Sequence, residues 1–79
     1  MIVYTIKPAD NGCWAIGCMG YALRGGLQLG PAIKLARDTA RSENAESGLE
    51  TCVEMCAGGS LVRLAHYKKL DTVHRAAFA

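Results

Sequence analysis

The chain has 79 residues, 51% of them hydrophobic and 20% charged, and a formal net charge of +2. That length allows one domain. The composition belongs to a folded chain and excludes disorder, and so small a net charge does not by itself select nucleic acid or a membrane as partner. No stretch approaches the roughly 20 apolar residues of a membrane span. The opening Met1-Ile2-Val3-Tyr4-Thr5-Ile6-Lys7 lacks the basic, apolar and small-residue segments of a signal peptide. The expected compartment is the cytoplasm, where the four cysteines stay reduced thiols.

Ile2 to Lys7 is β-branched and aromatic, and reads as a strand that stops at Pro8. Asn11-Gly12 supplies positive φ for a turn into a second strand from Cys13 to about Met19. Gly20 marks another turn. From Tyr21 to Leu29 apolar residues alternate, with Leu23, Leu27 and Leu29 on one face and Arg24 and Gln28 on the other, which predicts a third strand loosened by Gly25-Gly26. Gly30-Pro31 opens a helix, because proline costs nothing at the first helical position. Ala32, Ile33, Leu35, Ala36, Thr39 and Ala40 form its apolar stripe; Lys34, Arg37, Asp38 and Arg41 form the opposite side. The helix is expected to fray in Ser42-Glu43-Asn44.

Leu49 to Cys56 fits two patterns. As a strand it turns Leu49, Thr51, Val53 and Met55 inward; as a helix it stacks Leu49, Cys52, Val53 and Cys56 behind a Ser47/Glu50 capping box. The strand is preferred, because Ser60 to Tyr67 is a strand that needs an adjacent partner and Gly58-Gly59 suits a tight hairpin. The expected fold class is α+β, in the order β-β-β-α-β-β: an antiparallel sheet of four to five strands with one helix packed on one face. The domain covers residues 1–70, and 71–79 forms a tail or a short helix capped by Asp71. The inward set is Ile2, Tyr4, Ile6, Trp14, Ile16, Leu23, Leu27, Val53 and Leu64 under Ile33, Leu35 and Ala36. The uncovered face displays Thr5, Lys7, Ala15, Arg24, Gln28, Glu50, Cys52, Glu54 and Arg63, with Tyr67 at its margin.

The cysteine spacings, Cys13-x4-Cys18 and Cys52-x3-Cys56, differ from the two-residue gap of redox motifs and zinc knuckles. On a strand Cys52 and Cys56 share a face but stand roughly 13 Å apart, too far for one metal. They read as small apolar residues, and no cofactor or metal is expected. His66 and His74 lack a nucleophile elbow, a phosphate loop or a metal-binding histidine pair around them, so no catalytic residue is assigned and the chain is not expected to be an enzyme. Charge is more informative. Glu43, Glu46, Glu50 and Glu54 cluster, whereas Lys34, Arg37 and Arg41 share one side of the helix and Arg63, Lys68, Lys69 and Arg75 make the C-terminal part basic. Such patches are ordinary solvated surface, or a face that docks protein or contacts phosphate.

Ile6-Lys7-Pro8 with Asn11-Gly12-Cys13-Trp14-Ala15-Ile16, then Ala32-Ile33-Lys34-Leu35-Ala36-Arg37 and a Gly-Gly hairpin, resemble a bacterial family of short proteins catalogued as domain of unknown function 2188. The likeness spans about residues 2–67 and implies the strand–helix–strand order. Cys13 stands where that pattern has a second glycine, and the strand after Gly20 is longer. A looser resemblance in size and element order is to the anti-CRISPR proteins of phages and mobile elements, which occlude a surface of an effector complex. The expected function is therefore a small protein-binding module of steric, inhibitor-like action. Its candidate partner-binding residues are Arg24, Lys34, Arg37, Arg41, Glu50, Glu54 and Arg63. A nucleic-acid-binding accessory module and a cysteine-based metal or redox protein are the alternatives, and a homodimer suits any of the three.

Overall fold

A computed structural model describes residues 1–70; the expected tail helix lies outside the described residues. Five strands and one helix follow in order: β1 (Ile2–Pro8), β2 (Trp14–Cys18), β3 (Tyr21–Leu27), α1 (Leu29–Ser47), β4 (Thr51–Ala57) and β5 (Ser60–Tyr67). The ambiguous segment is a strand. Each hairpin is closed by residues in a left-handed backbone conformation. Asn11 and Gly12 lie at φ 61° and 71° between β1 and β2. Gly58-Gly59 (φ 56° and 80°) forms a two-residue turn of type I′ between β4 and β5. Met19-Gly20 (φ 53° and 82°) makes the same turn between β2 and β3.

The strands form one sheet in the order β3-β2-β1-β4-β5. It is mixed and not wholly antiparallel: β1 and β4 run parallel, with Ile2 opposite Thr51 and Ile6 opposite Met55. The reason is the crossover. Two hairpins leave β3 pointing the same way as β1, and α1 then carries the chain back across the sheet. The next strand therefore enters in the direction of β1, as parallel pairing through a helix requires.

The helix lies over β1, β2, β4 and β5. Its buried residues are Ala32, Ala36, Ala40 and Asn44, spaced four apart. The small alanines let the backbone lie close on Tyr4, Ile6, Ile16 and Val53, the buried centre of the sheet. Ile33 and Leu35, expected to top the core, flank it half-buried. Ile6 and Val53 are fully enclosed, which contributes about 1.5–3 kcal/mol each.

Several expected placements are corrected. The helix begins one residue earlier than Gly30, with Gln28 as its N-cap, so Gln28 and Leu29 are not strand residues. It does not fray at Ser42-Glu43-Asn44 but runs to Ser47 and ends on left-handed Gly48, φ 75°. Asn44 holds that last turn from inside. Its Nδ2 donates to the carbonyls of Leu49 (2.9 Å) and Lys68 (2.8 Å) and is 3.5 Å from that of Tyr67. Thr51 Oγ1 donates to the Ala40 carbonyl at 2.7 Å, a second buried tie between helix and sheet. Leu49 precedes β4 and is 48% exposed. Leu23 is 51% exposed and outside the core, because α1 lies over the other four strands and leaves the edge strand β3 uncovered. Tyr67 packs on the helix side, opposite Thr51, and not on the uncovered face.

Candidate functional site

Three surfaces gather the side chains with chemical potential. The first is the sheet face away from α1. Since Tyr4, Ile6 and Val53 point under the helix, Thr5, Lys7, Cys52, Glu54 and Cys56 point away from it. Glu54 lies in register between Thr5 and Arg63, and the Arg63 guanidinium reaches its carboxylate at 3.4 Å. Glu50 and His66 form a second pair. Three expected partner-binding residues, Glu50, Glu54 and Arg63, are therefore paired within the molecule. A partner that recruited them would first break those contacts.

Cys52 sits on this face in register with Val3 and His66, and is completely buried. Burial pushes its thiol above the ordinary range. Arg63 opposes the shift, while Glu54 and Glu50 add to it. A protonated, enclosed thiol is a poor nucleophile and a poor metal ligand. Among the described residues, no group of three or more His, Cys, Asp or Glu side chains is placed to hold a metal ion.

The second surface is the outer side of α1. Lys34, Arg37 and Arg41 do come together, along a groove of about 490 Å³ between the helix and Tyr67 at the end of β5. Asp38 bridges two of them, 3.3 Å from Lys34 Nζ and 3.3 Å from an Arg41 nitrogen. Arg24 stands apart from this cluster. It is exposed on β3, in register with Ile16, while Arg63 is on the opposite outer strand. Four strand spacings separate the two, roughly 19 Å. Of the partner-binding residues expected on the uncovered sheet face, Arg24 and Arg63 thus lie at opposite edges of the sheet.

The third surface escaped the sequence pattern. Every residue of β3 from Tyr21 to Gly26 is exposed. At its start Met19 is 77%, Tyr21 76% and Leu23 51% exposed. Three large apolar side chains therefore crown one hairpin. Beside them, on the uncovered face, Thr5, Lys7, Ala15, Gly17, Met19 and Ala22 line a shallow cavity of about 240 Å³. Gly17 lets the strands approach closely at this corner, since a Cβ there would stand a tight 3.3 Å from the Tyr21 carbonyl oxygen. The signal in the sequence was the pair Met19 and Tyr21 flanking Gly20: apolar residues at a turn, where polar ones are usual.

Compared with known proteins, the chain matches no family model, no curated protein and no solved structure. No helix among the described residues is long and apolar enough to cross a membrane.

Proposed function

We propose that this chain is a small protein-binding module that works by covering a surface of its partner, as inhibitors carried by phages and mobile elements do. The observation that carries this reading is the apolar crown of the β2–β3 hairpin. Aromatic residues and methionine are enriched in protein interfaces, tyrosine is among the residues whose truncation costs most, and contiguous exposed apolar residues mark such sites. Methionine adapts to the partner's contour, whereas the two-residue turn fixes the hairpin beforehand, so little ordering cost falls on binding. Met19 also occupies a left-handed backbone where asparagine or glycine is the ordinary choice. Tolerated strain beneath an exposed apolar side chain is what a recognition site shows when side-chain identity matters more than stability. Basic residues on α1 and Arg24 steer the encounter.

The test is an affinity capture from nuclease-treated host lysate with the tagged protein and a variant carrying Met19→Ser, Tyr21→Ser and Leu23→Ser. A defined complex recovered by the first and lost by the second is expected. With the partner in hand, Tyr21→Ala should cost about 2 kcal/mol, roughly 30-fold in Kd. Equal recovery by both proteins would refute the hairpin as the docking element.

A further inference from the structure

The groove on the outer side of α1 carries a second function. We propose that it binds a single strand of nucleic acid through two or three successive phosphates.

Lys34, Arg37 and Arg41 recur at intervals of three and four residues, so they stand in one row down the helix. At 1.5 Å rise per residue the row is about 10 Å long, and the long side chains at its ends extend that reach to two or three successive phosphates of an unpaired strand. Arg37 is exposed and has no acidic partner within salt-bridge distance among the described residues. The first turn of α1 carries no acidic residue, and Gly30 lines the same groove, so the positive end of the helix adds to the row. Tyr67 and Ile33 form the remaining wall. An aromatic ring beside a basic row is the arrangement on which unpaired bases stack.

The other flank of the same helix selects the kind of nucleic acid. Asp38, Glu43 and Glu46, with Tyr4, Thr39 and Ser42, line a separate cavity of about 340 Å³. A helix is only 10–12 Å across, so a duplex laid on the basic row would bring its second strand toward these carboxylates. A single strand fits within the groove, where it meets Asp38 alone and avoids Glu43 and Glu46. Asp38 sits between Lys34 and Arg41 at 3.3 Å from each, and a bound phosphate competes with it. Binding is therefore weak and tunable by that one carboxylate.

The test is fluorescence anisotropy with a short labelled oligothymidine, the corresponding duplex and a labelled polyglutamate peptide. Three ion contacts predict a salt slope near −2, about a 20-fold loss of affinity for the single strand between 50 and 200 mM salt. Arg37→Glu should lose at least tenfold, and Asp38→Asn should gain several-fold, while both keep the wild-type circular dichroism spectrum. The hairpin variant Met19→Ser/Tyr21→Ser/Leu23→Ser should bind the oligonucleotide as the wild type does, which separates this groove from the protein-docking surface. No oligonucleotide binding at 50 mM salt, unchanged binding by Arg37→Glu, or a duplex bound as tightly as the single strand would each overturn the proposal. So would tighter binding of the polyglutamate peptide, which would assign the groove to an acidic protein segment.

Discussion

Replacing Asn44 with alanine removes a side chain that ties α1 to both the entry of β4 and the exit of β5. Its Nδ2 makes two short bonds, to Leu49 and Lys68, and a longer approach to Tyr67. Each bond contributes about 1 kcal/mol net, and a carbonyl left enclosed without a donor costs about 1–3 kcal/mol. Asn44 is 9% exposed, so water reaches the vacated site only in part. The sum is about 2–3 kcal/mol. For a domain of this size 1 kcal/mol corresponds to roughly 4–8 °C, so Tm should fall by roughly 10–20 °C. Asn44→Asp sharpens the test. It preserves shape but, when ionised, offers only acceptors to carbonyls that need a donor, so it should be worse than alanine at neutral pH and improve on acidification. Differential scanning calorimetry of the three proteins reads both effects. A drop below about 3 °C for alanine, or an aspartate variant as stable as the wild type, would show that the three carbonyls do not depend on Asn44.

Met19→Asn should raise stability by about 0.5–1 kcal/mol, since asparagine suits the left-handed first position of the turn; the urea midpoint reads the gain, and partner binding should weaken in the same protein. Ala36→Leu forces four-carbon bulk between α1 and the sheet where nothing is exposed, and should cost about 1–3 kcal/mol in urea unfolding. Burial raises the thiols of Cys52 and Cys18, with glutamate charge acting in the same direction, so both should resist alkylation at pH 8 and react on unfolding. A group whose folded pKa is raised keeps its stabilising effect below its unfolded pKa. Stability should therefore decline as pH rises through and above about 9, the ordinary value for both thiols, and less steeply in Cys52→Ala.

What the sequence disclosed depended on how locally each feature is encoded. The Asn11-Gly12 and Gly58-Gly59 turns and the strands beside them were legible, because turn chemistry and alternation are properties of a few adjacent residues. The parallel pairing of β1 with β4 was not, because nothing in either strand specifies a neighbour so distant in the chain. Leu23 misled because alternation assigns a residue to a face but does not say whether that face is covered, and α1 does not reach over β3. Ser42-Glu43-Asn44 reads as a weak helix end by propensity, yet Asn44 is held by carbonyls from two other elements, a tertiary effect that overrides propensity. Of the candidate site, the row Lys34, Arg37 and Arg41 was visible from helical spacing. The apolar hairpin crown was not, since exposure of Leu23 depends on which strands the helix covers, a tertiary property.

The parallel seam at the centre of the sheet also sets an order of events. β1 leads the chain but acquires its β4 neighbour only after the helix has formed and crossed over. Until then Ile2 to Ile6 offers one bare strand edge, and the β1–β2–β3 meander alone has no helix above its apolar side. Folding therefore waits on a long loop closure, which makes it slow for so short a chain. A product shortened before Thr51 should populate sticky, self-associating species, so the residues that complete the fold are also those that keep its beginning from aggregating.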